Sequence, residues 1–387
     1  MQLVQHIIEL TPFYISAIWG LVFLLNPVKA NRARFGLGIF MITTSLVYLS
    51  HAIYFEGAFE LYRKIDPLYA LAGLSVWPMY YLYIRLLTRD VNFKYSYLWH
   101  LLPAITIAIL LELSFQFASV VEKEAYINFV LIHNKWPGEE ASIMLKTMAS
   151  IFFTGRIIFG LQVFTYLFLG YRLVKKYNKR IANFYSNLEG KQLVWVELLT
   201  ISLMITAVVS SAANFLGRSY FLDNNLLFIP STLFSFLFFI IGLQGNKQDH
   251  NIADVVFDER EGAKLTEIKV NNKDLKEKLT GFMEKEKAFL DPHFRITTLC
   301  VKLYTNRTYL SNLINSEFEM SFSEFINQYR IKYAKKLMTA DTDSNYSINH
   351  FSEEAGFGSV SSFNRAFKQF EGITAGEFRK NIRKETG

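Results

Sequence analysis

Two patterns of polar and apolar positions divide the chain. Up to about residue 244, charged positions are scarce and apolar residues run in blocks. Seven blocks stand out, at 6–26, 35–55, 68–88, 97–117, 149–171, 194–216 and 225–243. A helix crosses a hydrocarbon core with roughly 20 apolar residues, so the pattern predicts seven spanning helices. From Asn272 onward the apolar positions recur every three to four residues instead, as in Leu275, Leu279, Phe282 and Met283. That period predicts amphipathic helices. Asp291-Pro292 closes the first of them. Ile296, Leu299, Cys300 and Leu303 then share one face, and Asn306 is placed to cap a helix carrying Leu310, Leu313 and Ile314 inward. A longer helix over 321–337 carries Phe322, Phe325, Ile326, Tyr329, Tyr333, Ala334 and Leu337 on one stripe. Ser347 caps the next helix, with Ile348, Phe351, Ser352 and Ala355 inward. Gly356-Phe357-Gly358 makes a tight turn, and Ser359 caps a helix with Phe363, Phe367 and Phe370 inward. Two short helix pairs joined by turns read as tandem helix-turn-helix units. The stretch between the two patterns is polar and mixed in charge and reads as a linker, with short β-like runs allowed over 263–270. The expected fold is all-α. Its domains are a seven-span membrane bundle over 1–244, a linker over 245–271, and a tandem helix-turn-helix domain over 272–387.

Composition sharpens this division. Of 387 residues, 51% are hydrophobic and 19% charged, where soluble domains carry about 25% charged residues. Disordered and collagen-like chains are excluded, and a wholly soluble enzyme is disfavoured. The single cysteine, Cys300, excludes an intramolecular disulfide and a cysteine-based metal cluster. The seven His show neither H-x-x-x-H nor H-E-x-x-H spacing, so no metal and no cofactor are expected. Of the net charge of +7, six units sit in the apolar half: residues 1–244 hold 19 Lys/Arg against 13 Asp/Glu, and residues 245–387 hold 22 against 21. A basic chain is therefore no argument here for nucleic acid. The loops after blocks one, three and five carry 11 Lys/Arg, including Lys29, Arg89 and Lys175, and the other loops carry 6. By the positive-inside rule this predicts an outside N-terminus and a cytoplasmic 245–387. Residues 1–10 lack a basic stretch and no small-x-small site follows, so the first block reads as a permanent span.

Ionisable residues within spans are costly and often functional. His51, Glu112 and Arg156 all fall in the outer third of their predicted spans, and Asn214 lies near the outer end of the sixth. Glu112 and Arg156 are expected to pair and to line a pocket open to the outside, close to Trp77-Pro78 and Pro230. The bland alternative has Arg156 snorkelling and Glu112 meeting water at the interface. No G-x-S-x-G and no paired membrane Asp appears, and the seventh span holds no Lys. No enzyme activity is expected.

The stretch from Ser347 to Arg379, SINHFSEEAGFGSVSSFNRAFKQFEGITAGEFR, resembles the signature of the AraC/XylS family of bacterial transcription regulators. Tyr309-Leu310-Ser311, and Phe322 through Arg330 with Ala334 and Leu337, resemble the first half of that domain. Cys300 and Ser352 stand where a small Ala is usual, Met320 where Gly is usual, and Ala375 where Pro is usual. The whole chain resembles the membrane-embedded members, in which a multi-span domain precedes the DNA-binding domain.

The chemistry agrees with what the resemblance implies. A linker helix of about 17 residues is about 25 Å long. It can hold two recognition helices roughly one DNA turn apart, about 34 Å. The first recognition helix offers Arg307, Thr308, Ser311, Asn312 and Asn315, and the second offers Val360, Ser361, Asn364, Arg365 and Lys368. Arg reads guanine, Asn reads adenine and Val meets a thymine methyl. Arg365 is the expected base reader, by family position as well as by chemistry. Ser359 and Lys368 are expected on phosphate, with Lys302, Arg379, Lys380, Arg383 and Lys384 adding backbone charge. The expected function is a bacterial inner-membrane, multi-pass transcription regulator that couples a sensed signal to promoter binding. Its expected partners are double-stranded promoter DNA, the lipid bilayer, a small-molecule or membrane ligand, and a second copy in a homodimer. The alternatives are a transporter or membrane enzyme with a regulatory DNA-binding tail, and a plain membrane tether.

Overall fold

The structure is a computed structural model. It describes residues 2–25, 32–89, 95–189, 228–247, 272–341 and 346–386, together with 191, 193, 196, 197, 199–205, 207 and 208. Among these the fold is all-α, and the only extended pairing is an isolated bridge between Tyr185 and Arg295. The β-like run at 263–270 and most of the linker lie outside the described residues. The chain divides into two compact units: residues 1–174 with 194–251, and residues 175–193 with 252–387.

The first unit contains α1 (Gln2–Leu24), α2 (Arg32–Phe55), α3 (Phe59–Thr88), α4 (Leu102–Phe117) preceded by a 3-10 stretch, the short α5 (Val120–Ala125), and most of α6 (Ile143–Ala182). Helical residues between 196 and 208 and α7 (Phe228–Lys247) complete it. Helix α1 packs on α2 and α7, and α3 packs on α2 and α4. These contacts are close because small residues meet bulky ones. Gly20 faces Ile42, Gly36 faces Leu86, and Gly242 faces the Trp19 indole, and a Cβ at any of the three would stand within 3 Å of that side chain. Hydroxyls inside the helices are satisfied by their own backbone, as Thr44 donates to Phe40 O at 2.8 Å and Thr88 to Ile84 O at 2.7 Å.

Five helical stretches of the described residues are long and apolar enough to cross a membrane: 7–24, 32–55, 95–117, 143–182 and 228–247. The helix bearing the third predicted block, α3, is 30 residues long but falls outside that set. Its run of Tyr, its two Pro and Arg85 dilute its hydropathy. The sixth block is only partly described. Large apolar side chains nevertheless face outward, among them Ile18 and Leu21 of α1, Ile109 of α4, Phe164 and Phe168 of α6, and Phe236 of α7.

The second unit comprises the end of α6, residues 183–193, α8 (Asn272–Glu286), a 3-10 turn at Ala288–Leu290, α9 (Ile296–Lys302), α10 (Arg307–Glu317), α11 (Phe322–Ala340), α12 (Ile348–Glu354), α13 (Val360–Glu371) and α14 (Ala375–Thr386). Side-chain caps fix the starts of five of these helices, Thr374 and Glu377 bonding reciprocally at the head of α14. Asn306 Oδ1 accepts from Tyr309 N at 3.0 Å, Ser347 Oγ from His350 N at 3.2 Å, and Ser359 Oγ from Ser362 N at 3.3 Å. Ser321 and Glu324 form a reciprocal capping box at the head of α11. Two cores flank that helix. Leu310, Leu313 and Ile314 are buried on one side. Ile331, Ala334 and Met338 of α11 pack with Phe351, Phe363 and Phe367 on the other.

Arg330 is the exception in this apolar interior. It is 1% exposed, and its Nε donates to Phe289 O at 2.6 Å and its Nη2 to Asp291 O at 2.8 Å. Burial pushes its guanidinium down to about 10, partly opposed by the Asp291 carboxylate. It remains charged at neutral pH, so its hydrogen bonds are charge-assisted.

Candidate functional site

Two short helices meet two longer ones across tight turns in the second unit. Helix α9 leads through a turn, where Tyr304 takes φ +50°, into α10. Helix α12 leads through Gly356, at φ +81°, into α13. The inward faces of α10 and α13 are apolar. Their outward faces carry the residues expected to contact DNA. Thr308 and Asn312 are exposed on α10, and Arg307 and Ser311 are half-buried there. Ser361, Arg365 and Lys368 are exposed on α13, and Val360 and Asn364 are half-buried. Ser359 is the cap of α13, which aims its side chain at the first turn, where amides also favour a phosphate. Asn315 is turned back onto its own helix: its Nδ2 donates to Ser311 O at 2.7 Å and to Ser311 Oγ at 3.2 Å. Helix α11 joins the two pairs and has 19 residues, two more than expected from the sequence. Arg379 of α14 donates to Asp341 Oδ2 at 2.9 Å and lies over the Phe351 ring, so part of its charge is engaged at the end of α11. The side chains of Arg383 and Lys384 lie outside those described.

In the first unit, His51 and Arg156 line one cavity of about 280 Å³. Trp77 and Pro230 line it as well, as do Tyr48, Tyr69 and Phe238. His51 Nε2 lies 3.2 Å from Tyr69 Oη. Arg156 donates to Asn134 Oδ1 and covers the Phe152 ring at 4.3 Å. Glu112 does not join them. It is exposed on α4, accepts from Gln116 Nε2 at 3.2 Å, and makes no pair with Arg156. The buried stripe of α4 runs through Ala104, Ile107, Leu111 and Phe115, and Glu112 lies one helical step, about 100°, off it. Asn214 lies outside the described residues.

The cavity also recruits acidic residues. Glu9, Glu56 and Asp66 line it. Asp66 is 2% exposed and accepts from Tyr126 Oη at 3.0 Å. It belongs to α3, which begins at Phe59, rather than to a loop before residue 68. No group of three His, Cys, Asp or Glu able to hold a metal ion occurs among the described residues.

Comparison with known proteins matches residues 299–381 to a family described as a helix-turn-helix domain. The uncharacterised HTH-type transcriptional regulator YtdP of Bacillus subtilis is 35% identical over 82 residues, which is 21% of this chain and 10% of that one. The uncharacterised transcriptional regulatory protein YesN of Bacillus subtilis is 34% identical over 79 residues, 20% of this chain and 21% of that one. The Msm operon regulatory protein of Streptococcus mutans is 31% identical over 88 residues, 23% of this chain and 31% of that one. The chain thus spans between a tenth and a third of the length of these relatives. No solved structure matches it.

Proposed function

Starting from the AraC-type helix-turn-helix domain formed by residues 299–381, we propose that this chain is a membrane-embedded, sequence-specific DNA-binding transcription regulator. Its membrane unit senses a signal and biases promoter binding. The observation that carries the reading is the pairing of two capped recognition helices on one connecting helix. Helix α11 has 19 residues, about 28 Å at 1.5 Å per residue. That length suits two major-groove segments one turn apart, about 34 Å, on one face of the duplex. Membrane embedding is supported by the five long apolar helices and by their outward-facing Ile, Leu and Phe. An apolar exterior of that extent is foreign to monomeric soluble proteins. The basic bias of alternate loops supports a cytoplasmic second unit, in the compartment that holds DNA. Arg365 reads a base, Arg307, Thr308, Ser311, Asn312, Val360, Ser361 and Asn364 share the groove contacts, and Ser359 and Lys368 hold phosphate. The signal enters at the cavity that holds His51 and Arg156. Its largely apolar lining, with His51, Arg156 and the three carboxylates as its polar groups, and its size suit a small, mainly apolar molecule that carries a polar end.

The test uses the full chain in lipid nanodiscs, incubated with a pool of random duplex DNA and read by sequencing the retained fraction. Enrichment of one motif with two half-sites about one turn apart is expected. Arg365→Ala then costs about 1–3 kcal/mol, chiefly at one base position. Lys368→Ala weakens all sequences alike and lowers the salt slope by about 1. Retention without any enriched motif overturns the reading.

A further inference from the structure

Residues 183–189 follow α6 directly and belong to the second unit. They are buried there rather than looped into solvent: Phe184, Tyr185 and Ser186 are all under 4% exposed. Their backbone pairs with the strand-like approach to α9. Ser186 N donates to Phe294 O at 3.2 Å and Ile296 N donates to Phe184 O at 3.1 Å, either side of the Tyr185–Arg295 bridge. Arg295 and Lys191 both lie over the Tyr185 ring, at 5.6 and 4.9 Å. Ser186 then reaches the connecting helix. Its Oγ donates to Phe294 O at 2.6 Å and accepts from Arg330 Nη2 at 3.2 Å, and its own carbonyl accepts from Ser323 Oγ at 2.9 Å. Asn187 packs on Gly358, in the turn before α13, so tightly that a Cβ at 358 would overlap its side-chain amide.

One short segment therefore touches three places that must move together if the two recognition helices are to keep one spacing. These are the entry to the first helix pair, the middle of α11, and the turn of the second pair. The bonds are made by buried polar groups, which are expensive to leave unmade. Their partner is a stretch of chain 108 residues before Phe294. That stretch continues α6, a helix that supplies residues 143–174 to the first unit.

We propose that residues 184–187 are a positioning element of the DNA-binding unit, holding α10 and α13 at the angle at which both enter the major groove, so that displacement of α6 changes DNA affinity. This rests on the regulator reading above.

The experiment uses the full chain in nanodiscs and two duplexes derived from its selected motif, one with both half-sites and one with a single half-site. Ser186→Ala combined with Asn187→Ala leaves every DNA-facing side chain in place. Binding to the double site is expected to fall about tenfold or more, with single-site binding within about twofold of wild type. The variant should also tolerate one base pair added between the half-sites, which the wild type should reject. Ser186→Thr, which keeps the hydroxyl, should restore the double-site preference. By reciprocity, the double site should slow amide exchange over 175–189 in the wild type, and the single site should not. Equal losses on both duplexes would mean a merely structural role and overturn the proposal, as would unchanged binding to both. A wild type that selects no DNA overturns the regulator reading itself, and this proposal with it, and that outcome is distinct from either of the others.

Discussion

Gly356→Ala tests how the second helix pair is held against the rest of its unit. Gly356 has φ +81°. An Ala in that left-handed region costs about 1–2 kcal/mol from its Cβ alone. The new methyl would also overlap the Leu290 carbonyl oxygen and stand 2.7 Å from its carbon and 2.8 Å from its Cα. No rotamer change relieves this, because the neighbour is backbone. The flanking carbonyls of Phe289 and Asp291 are both gripped by Arg330, at 2.6 and 2.8 Å. Overpacking of this kind adds about 1–3 kcal/mol, so the whole substitution should cost about 2–5 kcal/mol. Gly372→Ala is the matched control. Gly372 has φ +75° with nothing within 4 Å of where a Cβ would stand, so an Ala there carries strain alone, about 1–2 kcal/mol. Native-state hydrogen exchange of peptides within 351–371 in the full chain reads the opening free energy of both variants. The difference between them isolates the overlap with Leu290. If the two variants differ by less than about 0.5 kcal/mol, the turn is not pressed against Leu290 and the packing argument is wrong.

Other perturbations follow from the same unit. Burial raises the Glu324 carboxyl, but hydrogen bonds from Ser321 N, Ser321 Oγ and Gln369 outweigh it and hold it below its ordinary 4.5. Its contribution is therefore present above pH 4.5 and lost as pH falls through the folded value. Glu324→Gln, which keeps a capping-box acceptor but not the charge, should lose that contribution at pH 7 and so make the acid unfolding limb shallower; an unaltered limb counts against the assignment. Burial pushes the Cys300 thiol up to about 12, against a smaller opposing pull from the Arg307 charge. N-ethylmaleimide should thus label the chain no faster than its second unit opens, and rapid labelling of the folded protein would contradict the burial of Cys300. Leu310→Ala removes a fully buried side chain from the inner face of α10 and should cost about 2–5 kcal/mol by denaturation. A loss below about 1 kcal/mol would place Leu310 outside the core.

What could be read from the sequence was what short-range chemistry decides. Asn306, Ser321, Ser347 and Ser359 bond to amides three residues on, so residue type and spacing suffice to find those helix starts. The stripe of α11 was legible in part: Phe322, Phe325, Ile326 and Ala334 are buried as expected, whereas Tyr329, Tyr333 and Leu337 are half-buried and Ile331 and Met338 are buried beside them. Glu112 and Asp66 were not legible because their faces, rather than their depth, decide their fate. Glu112 is apolar-flanked on both sides yet one step off the buried stripe of α4. Asp66 precedes Pro67, and a residue before proline is biased away from helix. Yet α3 runs through both from Phe59, and this carries the carboxylate inward to Tyr126.

Residues 184–187 were read only as part of a basic loop, since no periodicity links a Ser to a carbonyl 108 positions away. The sequence did hold one pointer to them. Arg330 falls between Ile326, Ile331 and Ala334, in the register of a helix whose other inward residues are apolar. A charge in that register must be hydrogen-bonded, because desolvating it alone would cost more than the surrounding core returns. Its acceptors at Phe289 and Asp291 are nearby in sequence terms, 41 and 39 residues back, while the Ser186 hydroxyl is 144 residues back. An arginine in the apolar register of a connecting helix is therefore the residue to follow when asking which distant loop completes such a domain. Here it leads to the segment that continues α6.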